Sequence, residues 1–499
     1  MKKIILTHSA IAVPMLFVFW LTVYPHTMRW MEEYSFFSTL PDFLHLQVRL
    51  PADAVKYAGA FLLQFYRWPV VGALLQTLLA WIVLVCADVA VCRLLRRERL
   101  MWTAFIPVAV FVAGQCGYRD LEKSLLWCLW AVAVAAVLHI FVRRPDDDGF
   151  RAPEAVAAKP VKRGRDAKVK ERRSHAGAVN TLCRYVLPCA ALLAGMWVSY
   201  ADKEFLVRER IHRAEHLAEA REWDRLLEVV TPEAAAEDPV RRRYALLALS
   251  ETGQLADRMF EYGVESPDDF FFPHSDDFVG IYFNSLFYEN LGIDNEVVHM
   301  MYLLNEHSVF GFSFRTLRRM ADAFLRQGDA VLAEKYLNVL SHSACNGGWV
   351  RSRMAQLDDL KSGAVRPDPF VAGDLCVGSQ AEAPILMDMY SLSQAEPDNR
   401  KYVDLLLCGF LSAGLLDDFE KMFAEFAPRF YADAERLPAH YEEALLLVSL
   451  RNPELAGRYK INPAKKREFD RFSQFMNKGL RGAVKQNWPN SFWAYLYCD

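Results

Sequence analysis

The sequence predicts an all-α protein in which five transmembrane helices precede a tail of repeated helical hairpins. Apolar residues make up 53% of the 499-residue chain, and they are concentrated in roughly the first 200 positions. Beyond that point, glycines recur at intervals close to the length of a helical-hairpin repeat. These two observations divide the chain into a membrane region and a tail.

Five stretches have about the 20 apolar residues that a transmembrane helix needs. They cover residues 4–24, 68–92, 100–118, 125–142 and 182–200. The first stretch is longer than the ~7–15-residue apolar core of a signal peptide, and no small-x-small cleavage pattern follows it. We therefore expect it to be an uncleaved first span.

The distribution of Lys and Arg predicts the orientation of these spans. Lys2 and Lys3 precede the first span, and the segment "RRPDDDGFRAPEAVAAKPVKRGRDAKVKERRSH" before the fifth has eleven Lys/Arg. Four more basic residues separate the second span from the third: Arg93, Arg96, Arg97 and Arg99. Because Lys and Arg favour the cytoplasmic side, we expect all three segments inside the cell and the tail outside.

This orientation divides the chain into four parts of a bacterial inner-membrane protein. They are a four-span region at 1–142 with an outer loop at 25–67, a basic disordered cytoplasmic linker at 143–178, a fifth span at 179–200, and a periplasmic tail at 201–499. We expect the linker charges to anchor the orientation, with binding to anionic lipid headgroups as the alternative. The aromatic outer loop predicts an interfacial helix, with Trp30, Tyr66 and Trp68 at headgroup level.

Two ionisable residues, Asp88 and Arg184, fall within the predicted spans at matching depths. Intramembrane ionisable groups are functional candidates by default, and these two are predicted to pair. The alternative is that each reaches to the membrane surface by itself.

The tail has a repeating pattern, seen most clearly in "PDNRKYVDLLLCGFLSAGLLDDFEKMFAEF" at 397–426. Its apolar residues recur at helical spacing on either side of Gly414, which we expect to form the turn of a hairpin. Gly253, Gly292 and Gly328 occupy the matching position in three similar segments. The segments resemble tetratricopeptide (TPR) repeats over about 240–430. The usual Trp-x-x-Leu-Gly opening is missing, so a related helical-hairpin array stays open.

Two other segments, "AGAFLLQFYRWPVVGALL" at 58–75 and "LPAHYEEALLL" at 437–447, resemble an uncharacterised family of multi-pass bacterial inner-membrane proteins with helical-repeat tails. The resemblance covers the full length of the chain. It implies a cell-envelope protein without a known activity.

In the register of the repeats, certain positions of the first helix of each hairpin are predicted to face a concave groove. These positions are Arg315, Arg318, Arg326, Tyr282, Lys401 and Asp404. The three guanidinium groups would suit a carboxylate or phosphate, which each binds in bidentate fashion. The alternative is a solvated helix face that pairs with local acids.

Two patterns resemble metal sites, and we interpret both as structural. "HRAEH", which includes His212, Glu215 and His216, matches the H-x-x-E-H pattern of inverted zinc peptidases, but no third ligand is marked. The segment "ESPDDFFFPHSDD" groups Asp268, Asp269, His274, Asp276 and Asp277. We expect Ser275 or Asp276 to cap the following helix, and the aromatic residues 270–272 to lie in the core.

Ten cysteines include no CxxC pair, and no nucleotide-binding or hydrolase motif occurs, so we assign no catalytic residue, metal or cofactor. Cys345 and Cys376 are a candidate disulfide in an extracytoplasmic tail, whereas Cys408 is expected to stay reduced.

The sequence favours a protein–protein interaction scaffold of the cell envelope over an enzyme. Its predicted partners are membrane lipids and unidentified envelope proteins, and nothing indicates nucleic acid. The alternative is an accessory or catalytic component of lipid-linked glycan transfer, with Glu32, Glu33 and Asp42 of the outer loop as its acidic site.

Overall fold

The computed structural model describes residues 2–50, 53–95, 98–115, 121–142, 179, 181–273, 277–308, 311–365, 384–432 and 434–498. All regular secondary structure among these residues is helical. The chain forms two compact units. Unit 1 comprises Met1–Arg210 and Val339–Gly348, and unit 2 comprises Ile211–Asn338 and Trp349–Asp499. The predicted linker at 143–178 lies outside the described residues.

The helices of unit 1 are mainly long and apolar. They are α1 (Lys2–Val23), α2 (Pro25–Glu33), α3 (Pro41–Gln47), α4 (Asp53–Leu63), α5 (Pro69–Leu94), α6 (Phe105–Gln115), α7 (Glu122–Phe141) and α8 (Leu187–Tyr200). Short 3-10 segments at Gln64–Arg67 and Glu98–Ala104 lead into α5 and α6, and a π-helical turn at Leu182–Val186 leads into α8. The boundary between the units falls within the next helix, α9 (Lys203–Glu219).

The helices of unit 2 are shorter, and several begin with proline at the first helical position, where its missing N–H costs nothing. They are α10 (Trp223–Val229), α11 (Pro232–Glu237), α12 (Pro239–Glu251), α13 (Leu255–Arg258), α14 (Phe278–Asn290), α15 (Asp294–Glu306), α16 (Phe314–Gln327), α17 (Ala330–Ser341), α18 (Gly347–Lys361), α19 (Pro384–Ala395), α20 (Arg400–Ser412), α21 (Leu416–Phe426), α22 (Pro428–Tyr431), α23 (Ala439–Val448), α24 (Pro453–Gly457), α25 (Pro463–Asn477), α26 (Arg481–Asn487) and α27 (Phe492–Tyr497).

Four helical segments of the described chain are long and apolar enough to cross a membrane, as expected for a membrane protein. They are Lys2–Val23, Pro69–Leu94, Glu122–Phe141 and Leu182–Tyr200. The prediction of five such helices is wrong at the third, because the apolar helix in the described residues there is the shorter Arg99–Gln115. The first part of this segment is the 3-10 helix Glu98–Ala104. Hydropathy does not distinguish a 3-10 helix from an α-helix.

The short segment nevertheless runs along most of α5. Near one end of α5, Cys92 Sγ lies 3.7 Å from Met101 Sδ. Near the other end, the Gln76 side-chain amide donates to Gln115 Oε1 at 3.3 Å. At ~1.5 Å per residue, positions 76 and 92 lie ~24 Å apart along α5. Between Met101 and Gln115 the chain therefore travels from one end of the helix bundle towards the other.

Three polar contacts fix the direction of the other long helices. His8 near the start of α1 contacts Asp88 near the end of α5 at 2.7 Å. Arg93 in the last turn of α5 donates to the Val142 carbonyl just after α7, at 3.1 Å. At the opposite end, the Ser199 hydroxyl of α8 donates to the Val112 carbonyl of α6 at 3.1 Å. The N-terminus and the ends of α5 and α7 thus share one end of the bundle.

The helices α6 and α8 approach each other closely because small residues recur every four positions on α8, at Ala191, Gly195 and Ser199. An added Cβ at Gly195 would lie 2.7 Å from both the Cα and the carbonyl oxygen of Ala109. Those atoms belong to backbone, which cannot move aside as a flexible side chain does. Gly195 is therefore required by packing.

The loop at 25–67 forms α2, α3 and α4, and the interfacial position of a helix in this loop stays a prediction. The Glu209 carboxylate accepts hydrogen bonds from the backbone N–H groups of His26 and Thr27, at 2.9 and 2.8 Å, and so caps the N-terminus of α2. Trp30 is half-buried and Trp68 is exposed. Tyr66 is fully buried against Gly72, and the headgroup-level position of the three aromatic residues stays a prediction.

Unit 1 also includes residues 339–348 from far along the chain. The Thr39 N–H donates to the His342 carbonyl at 2.8 Å, and the Ala344 N–H donates to Gln64 Oε1 at 2.9 Å. The Arg67 guanidinium donates to Asn346 Oδ1 at 2.5 Å. These hydrogen bonds attach the α17–α18 connection to the outer loop.

Unit 2 contains helical hairpins whose turns contain the predicted glycines. Gly253, Gly292, Gly328 and Gly414 have φ angles of 68°, 75°, 79° and 68°. Only glycine adopts this left-handed backbone region without a steric penalty, so the spacing of these residues marks helix ends. The hairpins are α12–α13, α14–α15, α16–α17 and α20–α21.

These hairpins do not stack in simple chain order. In a linear repeat array each hairpin contacts only its neighbours in sequence. Here Lys401 of α20 pairs with Glu251 at the end of α12, at 2.8 Å. The Tyr402 hydroxyl donates to the Leu291 carbonyl at 2.6 Å, in the turn of α14–α15. The α20–α21 hairpin therefore packs on the first two hairpins, where the predicted groove would have been open.

Replacing Gly195 with leucine should destabilise unit 1 by at least ~1–3 kcal/mol, because the side chain must force α6 and α8 apart. The measurement is the thermal stability of the purified full-length protein in detergent, followed by loss of the monodisperse peak in size-exclusion chromatography. Ala194→Leu is the matched control, since Ala194 is exposed on the same helix. Equal stability of the two variants would contradict the packing role of Gly195.

Candidate functional site

The predicted groove residues do not form an exposed wall. Arg315 is 2% exposed and Tyr282 is fully buried, so the prediction of an open binding surface is wrong for both. Arg326 is half-buried, as is Arg318, whose guanidinium lies over the Phe314 ring at 5.4 Å. The groove register assumed linear stacking of the hairpins, and the structure packs them differently.

Arg315 lies instead at the centre of a buried polar network. Its guanidinium forms an ion pair with the Glu215 carboxylate of α9 and lies over the Tyr282 ring of α14 at 3.7 Å. The Tyr282 hydroxyl donates to Glu219 Oε1, one turn further along α9. Three elements are thereby joined through one arginine. A buried guanidinium requires this combination of ion pair and ring contact to offset its lost hydration.

The network continues along α14 to α16. Arg319 pairs with Glu289 at 2.5 Å, and its guanidinium lies 5.4 Å from the Tyr282 ring. Arg326 pairs with Glu289 at 3.0 Å and donates three hydrogen bonds to Asp294, the shortest at 2.6 Å. Burial raises the pKa of the Glu289 carboxyl, but the charges of Arg319 and Arg326 lower it more, so the net pKa is below the usual range. We call the set Glu215, Arg315, Tyr282, Glu219, Arg319, Glu289, Arg326 and Asp294 the arginine network.

The H-x-x-E-H pattern belongs to this network. His212, Glu215 and His216 are all buried on one face of α9. Burial alone would raise the pKa of Glu215, but the Arg315 charge and the two neighbouring imidazoles lower it to about 2. A general base works best with a pKa near the operating pH, so a carboxylate held by a guanidinium is unsuited to that role. The structural interpretation of the pattern agrees with this geometry.

The other two predicted groove residues are also engaged internally. Lys401 pairs with Glu251, as described above, and donates to the Asn290 carbonyl at 2.9 Å. Asp404 is buried and accepts hydrogen bonds from the hydroxyls of Tyr431 and Tyr441 at 2.8 and 2.9 Å. Burial raises the pKa of the Asp404 carboxyl. Both residues position α20 and are not available to an external ligand.

The polar group predicted in the membrane region has a different partner. Asp88 is 1% exposed and its Oδ1 contacts His8 Nδ1 at 2.7 Å. The predicted pairing with Arg184 is wrong, because that guanidinium lies 5.7 Å from the neighbouring Tyr185 ring and makes no hydrogen bond to Asp88. The Phe105 ring meets His8 edge-on at 4.9 Å. This hydrogen bond gives the imidazole and one carboxylate oxygen a partner within an apolar bundle, whereas Asp88 Oδ2 has none among the described residues.

The acidic segment at 265–277 makes structural contacts in its described part. The Asp269 carboxylate accepts from Arg242 at 3.2 Å and from the Glu265 N–H at 2.8 Å. Asp277 caps α14 by accepting from the Gly280 N–H at 2.7 Å, one residue later than predicted. His274, Ser275 and Asp276 lie outside the described residues.

The aromatic residues of this segment belong largely to the core. Phe270 and Phe271 are buried, which confirms the prediction for these two. Phe272 is half-buried beneath the Arg243 guanidinium, at 4.0 Å from its ring.

The acids of the outer loop have unlike environments. Glu32 and Glu33 are buried on α2, and Glu33 forms an ion pair with Arg29 at 2.8 Å. Asp42 is exposed in the first turn of α3. Cys376 lies outside the described residues, so its pairing with Cys345 stays a prediction. Cys408 is reduced and buried beside the Tyr441 hydroxyl.

A second buried cluster was missed by sequence reasoning. Glu443 accepts hydrogen bonds from His440 Nδ1, Lys465 Nζ and the Phe492 N–H at 3.0, 2.7 and 2.8 Å, and its carbonyl accepts from the Trp493 indole at 2.9 Å. One carboxylate thus joins α23, α25 and α27. The available signal was an acidic pair inside the apolar run "HYEEALLLV", which requires buried partners.

One buried carboxyl has no opposite charge paired with it among the described residues. Asp388 on α19 is 5% exposed, and burial together with the nearby Glu296 charge raises its pKa to about 7. The Tyr288 hydroxyl, on which Asp388 and Glu296 also act electrostatically, is buried and makes no hydrogen bond to another described residue. The Asp388 carboxyl is therefore a buried group of unit 2 that changes its protonation state near neutral pH.

These features define a class of protein, namely a helical protein with helices long and apolar enough to span a membrane and a tail of helical hairpins. The chain belongs to a family of unknown function, DUF6057, whose model matches residues 1–157 and 118–499. No curated protein and no solved structure matches the chain. A family without a known activity agrees with the resemblance seen in the sequence, whereas the TPR relationship and the bacterial inner membrane stay predictions.

Replacing Asp388 with asparagine should remove a pH dependence of stability. The folded-state pKa of about 7 lies above the ordinary aspartate value of 3.8, so the folded protein binds more protons between these values. Stability contributed by this proton is present at low pH and is lost as the pH rises towards 7. The variant should match the wild type near pH ~4 and unfold at a higher temperature than the wild type at pH ~8.

The measurement is thermal unfolding of the full chain in detergent across this pH range. Asp470→Asn is the matched control, since Asp470 is exposed. If Asp388→Asn follows the wild-type pH profile throughout, the carboxyl is ionised at no cost and the assignment fails.

Proposed function

We propose that the protein is a membrane-anchored interaction scaffold of the bacterial cell envelope with a TPR-like tail. The observation that supports this most is the set of helical hairpins closed by glycines with left-handed φ angles, at intervals near those of TPR repeats. Helical-hairpin arrays commonly present binding surfaces for other proteins. The step from fold to function is an analogy and requires a direct test.

We also propose that the tail is extracytoplasmic. The contacts of His8 with Asp88, and of Arg93 with the Val142 carbonyl, bring the start of α1, the end of α5 and the end of α7 to one end of the bundle, next to the basic segments of the sequence. By the positive-inside rule that end belongs in the cytoplasm. Passage of the chain along α5 between Met101 and Gln115 then leaves the end of α8 on the opposite side. This supports a periplasmic tail although one crossing segment is short.

The proposed interaction surface differs from the groove predicted by the repeat register. Tyr302 on α15 and Val331 on α17 are 51% and 77% exposed. Their helices are adjacent, since the Tyr302 and Tyr336 hydroxyls lie 3.2 Å apart. Exposed apolar side chains on neighbouring second helices suit a protein partner better than the internally paired arginines do.

The glycan-transfer alternative has weaker support. It relied on Glu32, Glu33 and Asp42 acting together as an acidic site. Two of these side chains are buried and the third is exposed, and the ion pair of Glu33 with Arg29 restrains one candidate base. The scaffold proposal therefore takes precedence.

Site-specific photo-crosslinking tests function and orientation together. A photoreactive amino acid at Tyr302 or Val331 of the membrane-inserted full-length protein should give discrete adducts with proteins that have extracytoplasmic domains. The same residue at Ser352, which is exposed on α18, is the control and should give none of these adducts. Absence of adducts at both apolar positions would contradict the scaffold proposal. Adducts with cytoplasmic proteins would contradict the orientation.

A further inference from the structure

The C-terminal part of unit 2 has a charge very different from that of the whole protein. Between residues 458 and 485 the sequence contains nine Lys/Arg and two Asp/Glu, whereas the full chain has a net charge of −3. One of the two acids, Glu468, forms an ion pair with Lys465 at 3.5 Å. The excess positive charge lies on α25, α26 and the segment that precedes them.

The basic side chains form a stripe along the solvent-facing side of these helices. Arg467, Arg471 and Lys478 are spaced by four and seven residues, which places them on one face. The opposite face of α25 buries Phe469 and Phe472 against Trp493. The stripe consists of exposed residues that form no ion pair with another described residue: Lys466, Arg467, Arg471, Lys478 and Arg481. We call this set the basic stripe.

Apolar and aromatic side chains border the basic stripe. Leu480 and Tyr497 are 46% and 36% exposed, and Trp488 is half-buried with the Arg471 guanidinium 5.8 Å from its ring. Basic residues beside Leu, Tyr and Trp are the composition of surfaces that lie in the headgroup region of a bilayer. The exposed Leu480 favours a bilayer over a soluble polyanion, because a soluble polyanion offers no apolar region for a leucine side chain.

We infer that the basic stripe docks on the headgroup surface of a bilayer that contains anionic phospholipid. The same chain has four helical segments able to span a membrane, so a bilayer is the polyanion present at high local concentration. Lys and Arg near an anionic surface are attracted individually, and the attraction is screened by salt. This contact is independent of the proposed protein partner.

The test measures lysine acylation rates of the full-length protein in nanodiscs by mass spectrometry. In discs that contain phosphatidylglycerol, Lys466 and Lys478 should react at least about fivefold more slowly than in phosphatidylcholine discs, because headgroup phosphates cover them. About 1 M salt should abolish this difference, since the Debye length falls to ~3 Å. Lys335, which is exposed on α17, should react equally in both lipids.

Charge reversal provides the matched comparison. In Arg467→Glu with Lys478→Glu, Lys466 should react at the same rate in both lipids. Lys335→Glu with Arg351→Glu changes two exposed residues by the same total charge and should keep the protection of Lys466. Equal rates for wild-type Lys466 in the two lipids at low salt overturn the inference. Equal protection in both lipids, or protection that survives high salt, identifies a protein contact instead and also overturns it.

Discussion

The ion pair between Arg315 and Glu215 is the interaction on which the packing of the hairpin region depends. Both side chains are almost fully buried, and removing either would leave an unpaired charge in the interior. The guanidinium also covers the Tyr282 ring, whose hydroxyl returns to α9 at Glu219. One arginine thus determines how α9, α14 and α16 meet. In this part of the tail, the buried charged side chains of Arg315 and Glu215 hold helices together.

The same physical solution appears elsewhere in the chain. In unit 1, a hydrogen bond between His8 and Asp88 Oδ1 joins α1 to α5. In the C-terminal part, Glu443 collects an imidazole, an ammonium and a backbone N–H from three helices. Each cluster joins segments that are distant in sequence. Such polar clusters define which helices pack together, because a shifted arrangement would leave a buried charge unpaired.

Sequence reasoning succeeded where the structural cause is local. The turn glycines were predictable because a left-handed φ angle depends on one residue and its neighbours. The long apolar helices were predictable from composition. The third span was predicted wrongly because hydropathy depends only on the amino-acid sequence, and it cannot distinguish the 3-10 segment at Glu98–Ala104 from an α-helix.

The candidate site was not predictable for a different reason. The burial of Arg315 depends on Glu215, a hundred positions earlier, and on the Tyr282 ring of another hairpin. A register derived from linear repeats assigns such an arginine to a groove. The apolar run around Glu443 contained a usable signal, since an acid within it must find buried partners.

A double-mutant cycle between Glu215 and Arg315 tests the central claim most directly. The free energy of unfolding of the full chain would be measured for Glu215→Leu, Arg315→Met and the double variant. Each single change should cost about 3–5 kcal/mol, because it leaves the partner charge buried. The double variant should be more stable than the sum of the single losses predicts, by at least ~2 kcal/mol. Losses that add to within ~0.5 kcal/mol would show that the two side chains act independently, and would contradict the role assigned to this pair.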